Sequence, residues 1–234
     1  MPKSAAERFT SKPLAFMANN VVLMAVNCLI PGDYDFRLTL EGGVRGRRVS
    51  GNPGEQDGQM DDTAQGYTLV DVYTLDIAPG GGPNTFRGYW LPYQANQQYH
   101  LELRKAADFM FTDRMDGCTF AASNIVKKRG GFVGLFSGTK KVGALVSHTN
   151  FQTNAGLIDT PTMNRAVLHT HGGVAKAVLR KGDYSDSASP LHAPGESIKL
   201  TTFGFRKSGA WQFHYQQYEM YFTGDYLLLG VRSV

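Results

Sequence analysis

The sequence predicts an α+β protein built on two mostly antiparallel or mixed β-sheets packed as a sandwich, with a few short helices and long loops. Three observations lead there. Short apolar runs recur along the chain, and several alternate apolar with polar residues, the period of a strand with one buried face. The 27 glycines and 10 prolines punctuate those runs as turns. Aromatic residues reach 12%, which favours strands over a helix bundle. A length of 234 residues fits one domain, 1–234, and 42% hydrophobic residues supply its core.

Residues Met1 to Lys12 read as a frayed start, and Val21 to Ile30 as a buried strand ending at the turn Pro31-Gly32-Asp33. Tyr34 to Glu41 alternates, with Phe36, Leu38 and Leu40 on one side and Arg37, Thr39 and Glu41 on the other. Gly42 to Ala64 is glycine-rich, charged and aperiodic, the pattern of a long surface loop. Tyr67 to Ile77 resumes strand character and stops at Pro79-Gly80-Gly81-Gly82-Pro83. Tyr89-Trp90-Leu91 is a short strand closed by Pro92, and Gln94 to Leu103 reads as a polar connection. Phe109 to Thr112, Thr119 to Ile125, Phe132 to Phe136 and Val142 to Ser147 form a meander of strands. Thr160 to Leu168 is a helix candidate, with Thr160 as cap and Pro161 at the first helical position. Strands are expected again at Val174 to Leu179, Ile198 to Phe205, Trp211 to Tyr221 and Tyr226 to Val231.

The charge balance narrows the partners. Lys and Arg total 24 against 20 acids, a net +4. The basic residues are scattered, apart from Arg45-Gly46-Arg47-Arg48 and Lys127-Lys128-Arg129, and neither cluster carries an aromatic platform. No nucleic-acid partner is expected. No run approaches the ~20 apolar residues of a membrane span, so no membrane partner is expected either. No signal peptide is visible before Pro31-Gly32-Asp33. Two cysteines, Cys28 and Cys118, make no disulfide framework and suit a reducing compartment. Cys28 reads as a small buried hydrophobe.

Cys118 has a different setting. It follows Met115-Asp116-Gly117, while Val142 to Ser147 delivers His148 into Thr149-Asn150. A thiol at one strand start and an imidazole at a neighbouring strand end are the two parts of a cysteine–histidine hydrolase. A charged imidazole would lower the thiol pKa, and the same ring would later move protons. Gly117 lets the backbone bend close to a substrate, and amide N–H groups there could hold an oxyanion. His169-Thr170-His171 would place two rings on one face if it were a strand, but no third ligand stands at a useful spacing. No metal and no cofactor is expected. No Gly-x-Ser-x-Gly elbow is present.

Trp90-Leu91-Pro92-Tyr93, Phe109-Met110-Phe111-Thr112, Met115-Asp116-Gly117-Cys118 and Val146-Ser147-His148, in that order, resemble the Burkholderia lethal factor 1-like and cytotoxic necrotizing factor-like glutamine deamidase toxins. The resemblance covers roughly residues 85 to 155. It departs where Met-Asp-Gly-Cys replaces the family's Leu-Ser-Gly-Cys. The cysteine and histidine also lie 30 residues apart (148 − 118), farther than in the relatives, with Lys127 to Lys141 as the inserted hairpin. The resemblance implies Cys118 as nucleophile, His148 as base and Thr112 as the residue that supports the histidine. Gly117, Asp116 and Trp90 would line the substrate site. It further implies a toxin-like enzyme, made in a bacterial cytoplasm, that acts in the host cytosol on a glutamine of a host protein; a monomer is expected. A transglutaminase, another cysteine hydrolase and a non-catalytic β-sandwich binding module remain open alternatives.

Overall fold

The protein is a closed barrel with a second sheet laid against its outside, not a two-sheet sandwich. The computed structural model describes residues 2–49, 67–128, 139–185, 198–220 and 224–234. In chain order the elements are α1 (Ala5–Ser11), α2 (Pro13–Asn19), β1 (Asn20–Met24), β2 (Gly32–Leu40), β3 (Gly46–Val49), β4 (Tyr67–Ile77), β5 (Thr85–Leu91), β6 (Gln97–Leu103) and β7 (Phe109–Thr112). They continue as β8 (Thr119–Lys128), β9 (Thr139–Asn150), α3 (Thr160–His171), β10 (Ala177–Leu179), α4 (Lys181–Ser185), β11 (Lys199–Lys207), β12 (Ala210–Met220) and β13 (Tyr226–Ser233).

Closure is what overturns the sandwich. The order β4-β2-β5-β7-β11-β12-β13-β3 returns to β4, because β3 pairs both with β13 and with β4. That clasp, Gly46–Val49, lies inside the stretch expected to be a surface loop from Gly42 to Ala64; residues 50–66 lie outside the described residues. Its residues Arg47 and Arg48 are charged, so apolar periodicity does not reveal the strand. Closing the sheet removes the unpaired edges that an open sheet must hide.

The barrel interior is aromatic. Phe36, Tyr73, Leu75, Phe86, Trp90, Phe111 and Phe203 form one buried cluster with Phe9, Phe16 and Met17 of the two N-terminal helices. Residues 4–12 are therefore not frayed, against the expectation for Met1 to Lys12; Met1 lies outside the described residues. Ser4 caps α1 in a reciprocal capping box with Glu7, and Phe9 stands 5.1 Å from the Phe86 ring. β1 runs parallel to β4, and its other side is met by side chains. Gln216 accepts from Val22 N–H (2.8 Å) and donates to the carbonyls of Met17 (2.5 Å) and Asn20 (2.7 Å). These bonds satisfy backbone groups that the sheet does not pair.

The second sheet has the order β10-β8-β9-β6. One face carries Phe120, Ala122, Ala144 and Val146 and packs on the barrel's outer surface at Tyr89, Leu91, Met110, Leu200 and Tyr215. The opposite face is covered by α3. His171, in the last turn of α3, is clamped between Ser123 (2.9 Å to Nδ1) and Ser147 (2.9 Å to Nε2). His169, by contrast, is exposed, so His169 and His171 sit on a helix and share no ligand face. The helix starts at Thr160 with Asp159 as its N-cap, one residue earlier than the cap expected from sequence. Gln97–Leu103, expected as a connection, is the edge strand β6. Phe132 to Phe136, expected as a strand, lies outside the described residues.

Candidate functional site

Cys118 immediately precedes β8, and His148 lies near the end of β9. The antiparallel register sets Phe120 opposite His148 and Thr119 opposite Thr149. Cys118 is therefore level with Asn150, and the four side chains of Cys118, Phe120, His148 and Asn150 share the face toward the barrel. The pairing continues outward to Lys128 and Thr139. The 30-residue separation of Cys118 and His148 (148 − 118) is thus a lengthened hairpin whose base stays closed; residues 129–138 of that hairpin lie outside the described residues.

The sulfur's hydrogen-bond partner is not His148. Asn150 Nδ2 donates to Cys118 Sγ at 3.5 Å, and a backbone hydrogen bond from Asp116 also reaches the sulfur. Cys118 is 1% exposed, and this burial pushes its thiol up to about 11 despite both donors. The expected lowered thiol pKa is overturned: removing water disfavours the thiolate more than two donors favour it. Cys28, like Cys118, is a free thiol.

His148 is one diagonal step from Cys118 and is 2% exposed. Burial pushes its pKa down to about 4, so the ring is neutral at pH 7. Tyr93 packs on it with ring centroids 5.8 Å apart. The backbone of Leu91 and Pro92 approaches the ring, yet neither ring nitrogen completes a hydrogen bond among the described residues. Thr112 does not support the histidine as expected. Its hydroxyl donates to the carbonyl of Asp113 (2.8 Å), and the threonine sits on β7 beside Leu91 of β5.

The remaining expected residues divide. Gly117 adopts φ +91°, and the Ile158 side chain lies 2.8 Å from where a Cβ would stand, so glycine is required there. Asp116 is exposed and ion-paired with Lys199 of β11. Trp90 is not a wall of this site: it is fully buried in the barrel interior, with its indole N–H on the carbonyl of Cys28 (2.8 Å). Its neighbour Leu91 faces the site's side instead, as strand alternation requires.

Three site residues were missed from sequence. Asn150 follows His148 by two positions, the strand spacing for a shared face, and that signal was available. Tyr184 was not legible: its hydroxyl accepts from Gly117 N–H (2.8 Å) and donates to the Cys118 carbonyl (3.3 Å), but it arrives from α4, far along the chain. Tyr93 was visible only as part of a motif; its hydroxyl is pushed up, first by burial and then by the nearby Cys118, Asp113 and Asp116. Among the described residues no group of three His, Cys, Asp or Glu side chains is placed to hold a metal ion, and no helix is long and apolar enough to cross a membrane. No protein-family model, no curated protein and no solved structure matches the chain.

Proposed function

We propose that this protein is a cysteine-dependent amide hydrolase, a toxin-like deamidase that converts a glutamine of a host protein to glutamate. One observation carries the reading. His148 is a buried, neutral imidazole with neither nitrogen hydrogen-bonded, one diagonal step from a buried thiol. An orphaned polar ring in a core costs about 1–3 kcal/mol, and such a cost is a reason to look for a role.

The neutral pair sets the order of events. At pH 7 the thiol keeps its proton, so attack is base-assisted rather than made by a standing thiolate. His148 takes the thiol proton as Sγ bonds to the side-chain carbonyl carbon, and the carbonyl electron pair moves to oxygen. Collapse breaks the C–N bond, and the imidazolium returns the proton to the leaving nitrogen, releasing ammonia. Water then attacks the thioester while His148 takes its proton. The C–S bond breaks, the thiol is restored, and glutamate results. Donors aimed at the oxyanion contribute about 3–4 kcal/mol each in such reactions. The Gly117 N–H already donates to the Tyr184 hydroxyl and is not such a donor.

The test is to incubate the protein and its Cys118→Ser variant with host-cell cytosol and map glutamine-to-glutamate changes by mass spectrometry. Sites converted by the parent and not by the variant support the reading. Amine conjugates in place of glutamate would make it a transglutaminase. The high thiol pKa favours a second reading, a non-catalytic binding module; identical maps for parent and variant would establish that one.

A further inference from the structure

We infer that Asn150 is the carboxamide-recognising residue of this site, its Oδ1 receiving an N–H of the substrate's side-chain amide while its Nδ2 holds the Cys118 sulfur. The inference rests on the proposed amide hydrolysis for its substrate and on geometry for the residue. Asn150 lies level with Cys118 across the β8–β9 pairing, is 1% exposed, and gives one amide hydrogen to Sγ at 3.5 Å. Its Oδ1 is buried with no hydrogen-bond partner among the described residues. Two residues back on the same face stand both unpartnered nitrogens of His148. An unpartnered amide oxygen thus stands on the residue that holds the thiol, on the face it shares with His148, and a core rarely leaves such an atom unmet.

The chemistry of the vacant acceptor selects the ligand. An asparagine Oδ1 accepts and never donates. A glutamine side chain brings two N–H donors on the nitrogen that must leave. An ester or a carboxylate of the same shape brings none, and would leave Oδ1 unmet. A site whose buried polar group is satisfied only by the right substrate rejects the analogue far more strongly than an apolar pocket can. The neighbouring residue Thr149 points to the other face, where its hydroxyl accepts from Gln98 (3.0 Å), so it cannot share this task.

The experiment uses the full chain carrying Cys28→Ser, so that Cys118 is its only thiol. The second-order rates of Cys118 alkylation by iodoacetamide and by iodoacetate are measured, and their ratio is compared with that of glutathione. Any opening needed to admit the reagents slows both and largely cancels in the ratio. The parent ratio should exceed the glutathione ratio by about tenfold, one hydrogen bond's worth of discrimination. Asn150→Leu should bring it back toward the glutathione value and raise the pH at which Cys118 becomes reactive, because the sulfur loses a donor. Asn150→Ala should do the same. A merely structural asparagine would change the melting temperature and leave the ratio alone. In the parent side chain set, propionamide should slow alkylation of Cys118 and methyl acetate should not; this arm needs no variant to fold. A ratio unaltered in both variants, or equal protection by the two probes, overturns the inference. Cys118-dependent deamidation of cytosolic proteins is scored separately, so its absence would sink the proposed reaction while the alkylation ratio still decides the role of Asn150.

Discussion

Replacing His148 with leucine should make the protein more stable and abolish the proposed hydrolysis. The folded protein holds this ring neutral down to about pH 4, whereas the unfolded chain protonates it near 6.5. Between those values the unfolded state binds a proton that the folded state refuses, so stability is full above pH 6.5 and is lost as the pH falls toward 4. At about 1.4 kcal/mol per pH unit, the loss is about 3 kcal/mol. Leucine has no proton to take and no orphaned nitrogen. At pH 7 the variant should gain about 1–3 kcal/mol from removing the unsatisfied ring atoms. At pH 4.5 its advantage should widen by a further 2–3 kcal/mol or so. The assay is urea denaturation of both proteins at pH 7 and pH 4.5. His171 and His214 are also held low by burial, but both remain in parent and variant and largely cancel in the difference. Equal loss of stability on acidification in the two proteins would refute a buried neutral His148.

In a Cys28→Ser background, Cys118 should alkylate about two hundredfold more slowly at pH 8 than a free thiol of pKa ~8.5, because a thiol at about 11 is barely ionised there; a reactivity midpoint below pH 9 would contradict this. Gln216→Leu strands a backbone N–H and two carbonyls inside the barrel and should cost about 3–5 kcal/mol in denaturant melts. Gly117→Ala forces a Cβ toward Ile158 at a left-handed backbone position, and should destabilise by about 1–3 kcal/mol while speeding Cys118 alkylation. Ser147→Ala removes one of the two hydroxyls that hold His171 and should lower stability by about 1–2 kcal/mol, with faster hydrogen exchange in α3.

Most strands were legible because they are apolar runs that stop at turn residues, such as Pro31-Gly32-Asp33 and Pro79-Gly80-Gly81-Gly82-Pro83. Tyr67–Ile77 was bounded correctly from its apolar run, and Trp211 to Tyr221 came within one residue at each end of β12. The elements that were missed lack that pattern. α1 announces itself only through the capping box of Ser4 and Glu7, and β6 is a half-exposed edge strand of Gln, Tyr, His and Glu. The barrel went unseen because closure depends on Gly46–Val49 meeting both β4 and β13, a relation that no local window contains. At the site, the shared face of Cys118 and His148 followed from the hairpin and was readable. The protonation states were not, because they depend on what buries the two groups, and Leu200 and Tyr215 reach that core from the far end of the chain.

The clasp also times the protein's birth. Gly46 pairs with Tyr226, 180 residues later (226 − 46), so synthesis at ~5–20 residues per second leaves the ring open for roughly ten to forty seconds. Through that interval β3 offers a bare edge to any passing strand, and once made, the sulfur of Cys118 lacks the cover that Leu200 and Tyr215 later provide. A cell making this chain in quantity would need to shelter a half-made ring, and an oxidant would find its best chance at Cys118 on the ribosome rather than in the finished molecule.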